Sequence, residues 1–111
     1  EANRMSWGCS TRNGGQAQCA SGRLKRSQWI ERWGLDTALK MHRECVDGME
    51  TFKSLIKDID CDPQPGGHLY VAHRPKVMAT LEKEAKLLRD TFDYDAQILD
   101  AETVKRDYVG D

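Results

Sequence analysis

Leu35-Asp36-Thr37-Ala38-Leu39-Lys40-Met41-His42-Arg43-Glu44-Cys45-Val46-Asp47-Gly48-Met49-Glu50-Thr51-Phe52-Lys53-Ser54-Leu55-Ile56-Lys57-Asp58 is the stretch from which the fold is read. Apolar side chains recur at Leu35, Ala38, Leu39, Met41, Cys45, Val46, Met49, Phe52, Leu55, Ile56 and Ile59. Steps of three and four over about six turns place them on one stripe of a helix, facing a core. Lys40, Arg43, Glu44, Asp47, Glu50 and Lys53 fall on the opposite, wet side. A methionine-bearing stripe of this kind is read as packing rather than as a cofactor box. Gly48 costs the helix about 1 kcal/mol relative to alanine without abolishing it.

Upstream, the segment from Gly22 to Trp33 is basic and aromatic, with Trp29 and Trp33 four apart as on one helical face. Leu24, Trp29, Ile30 and Trp33 are expected to bury one side of a short helix, while the cations stay solvated or approach a phosphate. Downstream, Asp60-Cys61-Asp62-Pro63-Gln64-Pro65-Gly66-Gly67 breaks the long helix, and His68-Leu69-Tyr70-Val71-Ala72 reads as a short strand. Arg74-Pro75 opens a second helix to about Phe92, buried through Val77, Met78, Leu81, Ala85, Leu88 and Phe92, with Glu82 and Lys86 as an i,i+4 pair. Ala96-Gln97-Ile98-Leu99 reads as a further extended piece. Asp100 is the expected N-cap of a third helix through about Tyr108, with Glu102 in its first turn. The order predicted is helix, strand, helix, strand, helix, an α+β arrangement. Two short strands alone make a poor sheet, so partners from other sequence are expected.

With 111 residues, 39% hydrophobic, 32% charged and a net charge of -1, the chain has the composition of one small globular domain or part of one. The balanced charge argues against nucleic acid or an anionic membrane as partner, including for the Arg23 to Trp33 stretch. No apolar run is long enough to cross a bilayer and no leader peptide is visible, so a cytoplasmic setting is expected. Cysteines stand at positions 9, 19, 45 and 61 without a Cys-x-x-Cys pair, and are expected as free thiols. Cys45 lies on the apolar face. His42, His68 and His73 are scattered, and no spacing supplies a metal site.

Chemistry concentrates in Trp7-Gly8-Cys9-Ser10-Thr11-Arg12-Asn13-Gly14-Gly15-Gln16. Glycines let backbone N–H groups approach a ligand, the hydroxyls donate, and a guanidinium compensates anionic charge, a set suited to a diphosphate. Composition alone reads equally well as a flexible surface turn.

The whole string resembles the Gly-Gly-Ala-Ser-Gly-Arg-Asn-Gly-Gly-Gln stretch of FAD-dependent oxidoreductases of the D-amino-acid-oxidase-like (DAO) family, in its gamma-glutamylputrescine oxidoreductase-like branch. Gly34 to Leu39, Ile59 to Asp62, Gly66 to Ala72 and Leu99-Asp100 resemble that branch in the same order. The resemblance implies a flavin enzyme that oxidises a carbon–nitrogen bond of a small amine or amino acid by hydride transfer to FAD, the imine being hydrolysed afterwards. It implies that residues 1–34 belong to an α/β FAD-binding domain, residues 35–65 to a long helix and turn, and residues 66–111 to the start of an antiparallel-sheet substrate domain. It further implies that Glu1 takes the adenosine ribose hydroxyls, that Ser10, Thr11 and Arg12 pass the FAD diphosphate, and that Asn13, Gly14, Gly15 and Gln16 continue toward the isoalloxazine ring. Cys9 stands where the branch usually has alanine, and Thr11 where it has glycine or serine. No general base is assigned.

The family's Gly-x-Gly-x-x-Gly fingerprint does not occur in these residues. The chain is therefore expected to be an internal segment of a protein roughly three to four times longer, unable to hold FAD by itself. The competing reading is a standalone α+β interaction module or an inactive remnant. Sequence upstream of Glu1 discriminates the two: a strand ending in the fingerprint supports the enzyme.

Overall fold

The computed structural model describes residues 4–5, 7–19 and 22–109. A 3-10 turn, Cys9–Thr11, stands in the N-terminal loop, followed by helices α1 (Arg26–Ile56), α2 (Pro75–Phe92) and α3 (Ala101–Val104), the last running on into a π-helical turn, Lys105–Val109.

Helix α1 joins two of the elements expected from sequence. It opens with the Lys25 N–H donated to Gln28 Oε1 at 2.9 Å, the reach-back half of a capping box. Gly34 interrupts it with φ 78 and ψ 163, a conformation essentially reserved for glycine, so that helical segments 26–33 and 35–56 meet at a kink. The kink lets both segments serve one core. Trp29 from the first (1% exposed) and Ala38 from the second (0%) pack together with Phe92 of α2 (6%). Leu24, Ile30, Leu39, Met41, Cys45, Leu87 and Tyr94 close around them.

Helix α2 begins on Pro75, whose missing N–H costs nothing in a first turn. It ends at Asp93 in the left-handed region (φ 49), where an aspartate is tolerated, and the Tyr94 N–H bonds the Leu88 carbonyl at 3.1 Å. That reversal carries Tyr94 back onto the core. Ser27 of α1 donates to a carboxylate oxygen of Glu84 on α2, a polar link beside the apolar one. Asp100 caps α3 as expected, its Oδ1 accepting from the Thr103 N–H at 2.7 Å.

The α+β expectation is corrected. Among the described residues there is no strand, and neither His68–Ala72 nor Ala96–Leu99 pairs with another segment. A strand exists only through a ladder that satisfies its N–H and C=O groups, and β-propensity cannot supply the partner. Tyr70 and Val71 are exposed instead. The architecture here is two packed helices with irregular connections and a short C-terminal helix. The long apolar stripe is also only partly used: Ala38 is buried and Cys45 half-buried, but Leu35, Phe52, Leu55 and Ile59 face outward. Helix α2 covers one end of the stripe. On the surface, Lys86 pairs with Asp90 rather than with Glu82, and Trp33 is exposed while Trp29 is buried.

Candidate functional site

The glycine loop is locally ordered by its own polar groups. After Gly8, the turn Cys9–Thr11 is closed by the Thr11 N–H to the Gly8 carbonyl at 3.4 Å and the Arg12 N–H to the Cys9 carbonyl at 3.1 Å. Asn13 braces both sides of the next bend. Its Nδ2 donates to the Cys9 carbonyl at 3.0 Å, and its Oδ1 accepts the Gly15 N–H at 2.8 Å, an Asx-type turn. Gly15 lies at φ +67, and a Cβ there would meet nothing within 4 Å. The glycine is therefore demanded by backbone conformation and not by lack of space. The Arg12 guanidinium lies 5.1 Å from the centroid of the Trp7 ring, a cation–π contact.

The structure thus gathers Thr11, Arg12, Asn13, Gly14, Gly15 and Gln16 on one exposed loop, with the Ser10 backbone in the turn before them. Glu1, expected to take the ribose, lies outside the described residues. Residues 7–19 include no aspartate or glutamate. With the Thr11, Arg12 and Gly15 N–H groups spent inside the loop, what favours an anion here is the exposed Arg12 cation in a stretch without a carboxylate.

A second polar group, which sequence reading missed, stands where this loop meets α1. Arg26 Nη2 donates to the Cys19 carbonyl at 2.5 Å and lies 3.3 Å from His42 Nδ1. The guanidinium also stacks 4.6 Å from the centroid of Trp29. His42 is buried, edge-on to Phe92 at 5.1 Å and to Tyr94 at 5.3 Å. Burial first, and then the Arg26 charge, hold the His42 pKa below its ordinary value. Burial likewise pushes the Cys19 thiol and the Tyr94 phenol upward. The sequence placed Arg26 among cations that stay solvated or approach a phosphate. The signal that marks it, sixteen residues of separation from His42 closed by the kink at Gly34, exists only after folding. Among the described residues, no three His, Cys, Asp or Glu side chains gather as a metal site, and no helix is long and apolar enough to cross a membrane.

Residues 1–110 match the DAO family, FAD dependent oxidoreductase. The chain belongs to this family. A curated relative, gamma-glutamylputrescine oxidoreductase of Escherichia coli (strain K12), is 36% identical over 114 residues, covering 100% of this chain and 26% of its own length. The chain therefore spans about a quarter of that relative. No solved structure matches. The loop of this DAO chain suits one part of the family's cofactor. The donor set at 8–16, with a glycine-only conformation at Gly15 and no carboxylate nearby, fits the diphosphate of FAD.

Proposed function

We propose that this chain is a segment of a longer FAD-dependent enzyme that oxidises the C–N bond of a small amine or amino acid, acting in the cytoplasm. Residues 1–34 contribute to the FAD-binding part, residues 35–65 form the connecting helix and turn, and residues 66–111 open the part that meets substrate. The observation that carries this reading is the carboxylate-free, donor-rich loop at 8–16 in a chain whose family membership extends over residues 1–110.

In this reading Arg12 offsets diphosphate charge and Ser10 donates a hydroxyl hydrogen bond to its oxygens, while the Thr11 hydroxyl, which donates to the Gly8 carbonyl at 3.4 Å, turns from that bond to do the same. Asn13 holds the bend, Gly14 and Gly15 keep Cβ atoms away from the ligand, and Gln16 continues the wall toward the ring. Glu1 accepts from the ribose hydroxyls, the role a carboxylate plays beside a dinucleotide. Bound FAD supplies the hydride acceptor, which this chain's side chains cannot. Orientation and charge compensation are the chain's own contribution. Because the relative's printed name carries gamma-glutamylputrescine, that amine is the first substrate to assay.

The test is a visible spectrum of the gene product purified with its flanking sequence. Flavin absorbance is expected, and Arg12→Ala or Gly15→Ala should lower flavin occupancy while leaving the helical circular dichroism unchanged. A folded but colourless protein, or variants that hold flavin as well as the parent, would refute the assignment.

A further inference from the structure

We propose that Arg26 is the positioning residue of the glycine loop, tying the loop's exit at Cys19 to helix α1, and that this tie holds only while His42 is uncharged. The inference rests on the reading of residues 8–16 as a diphosphate wrapper, and adds to it the anchor that fixes the wrapper's far end and the condition under which it lets go.

The geometry is specific because one nitrogen serves two partners. Arg26 Nη2 donates to the Cys19 carbonyl at 2.5 Å and sits 3.3 Å from His42 Nδ1. A guanidinium has only donors, so an approach to Nδ1 is attractive only when that atom presents its lone pair, with the ring proton on Nε2. Protonating the imidazole sets N–H against N–H and cation against cation in a buried corner. The groups around His42 offer no carboxylate to absorb the new charge. Arg26 and Cys45 come from α1, and Cys19 comes from the loop exit. Tyr94 and the non-titrating Phe92 come from α2 and its reversal. Lys53, further along α1, acts on Cys19 and Tyr94 with the wrong sign to help. Glu84 of α2 gives one carboxylate oxygen to Ser27 and keeps the other buried without a partner, but it is not among the charges acting on His42. Burial already depresses the His42 pKa, and keeps the Cys19 thiol and Tyr94 phenol neutral near pH 7 by raising theirs. Arg26 is thus the charge the corner is built around, clamped on its other face by Trp29 at 4.6 Å. The element that yields on protonation is the one with least packing, the loop exit.

Cys19 is a built-in reporter, since it is half-buried when the tie is made and Cys61 is an exposed thiol of the same chain. The experiment is pulse labelling of the full-length protein with N-ethylmaleimide, with peptide-level mass spectrometry giving the ratio of Cys19 to Cys61 rates. Maleimide labelling slows for thiols in general as pH falls, and the ratio of two thiols in one protein removes that common factor. As pH falls from about 7.5 through the ordinary histidine range and on through the depressed folded pKa of His42, the ratio should rise about tenfold, the scale set by loss of one charge-assisted hydrogen bond. His42→Phe keeps an aromatic ring against Phe92 and Tyr94 and should flatten the profile. Arg26→Gln should raise the ratio at every pH, and Arg26→Lys should not restore it, because a point charge cannot also stack on Trp29.

A flat parent profile overturns the proposal whatever the variants do, and so does a pH rise that persists in His42→Phe. A purely structural role for Arg26 would change stability without the His42-dependent profile. The labelling needs no flavin, so the two readings fail separately. A responsive ratio in a colourless protein supports the anchor and sinks the FAD reading. A flat ratio in a yellow protein does the reverse.

Discussion

Gly34 and Gly48 lie in the same helix, and alanine should act on them with opposite sign. Gly34 sits at φ 78, ψ 163, where an L residue carries strain of about 1–3 kcal/mol. A Cβ built there meets nothing within 4 Å, so the cost is conformational and not steric. Relief by letting the helix run straight through residue 34 is no cheaper, because Trp29 and Ala38 lie on either side of the kink and pack into the same core with Phe92. Gly34→Ala should therefore destabilise by about 1–3 kcal/mol, and with a urea slope of about 1 kcal/mol per molar the midpoint falls by about 1–3 M. Gly48 is exposed inside regular helix, also with nothing within 4 Å of its added Cβ. Gly48→Ala should stabilise by about 0.5–1 kcal/mol, because alanine loses less backbone entropy. Paired urea titrations followed by circular dichroism at 222 nm decide it. Equal signs, or a neutral Gly34→Ala, would refute the claim that the kink is required by the core.

Trp29→Ala removes the largest fully buried side chain and the ring beneath Arg26, and should cost about 3–5 kcal/mol in the same titration. Ser27→Ala strips the Glu84 carboxylate of its α1 donor at an exposed position that water can reach, and should cost about 0.5–1.5 kcal/mol, with helix content retained. The folded His42 pKa is depressed below 6.5, so between the folded value and 6.5 the unfolded chain binds more protons than the folded one. Stability is thus full above that ordinary value and lost as pH falls below it, and His42→Phe should remove this part of the slope in urea midpoints measured from neutral to mildly acid pH. Asp100, held below its ordinary 3.8 by the Thr103 N–H, acts at lower pH: its cap is lost as pH falls through the folded pKa, visible as a loss of protection of the Thr103 amide relative to its intrinsic exchange rate at each pH.

The helices were legible because their causes are local. The three-and-four spacing of Leu35 to Ile59, Pro75 at a first turn and Asp100 at an N-cap each specify an element from a few neighbours, and each element formed. The composition of the glycine loop was legible for the same reason, since donors, a cation and glycines in ten consecutive positions need no tertiary contact to be recognised. His68–Ala72 and Ala96–Leu99 were misread as strands because strand character is shared between two segments, and period and propensity describe only one of them.

What only the tertiary structure decided is which face of each helix is used, and what lies inside. The sequence offers Trp29 and Trp33 as equivalents, yet the turn of direction at Gly34 buries one and exposes the other. The same kink brings His42 under Arg26 and places both at the exit of the loop. A short-range code cannot contain that meeting, because it depends on a single left-handed backbone angle between two otherwise regular helical segments. By itself the sequence determined the helices, the make-up of the glycine loop and the family. Folding decided that the loop is held at its far end by a charge whose neighbour must stay neutral, since burial and donor geometry arise only when distant residues are packed together.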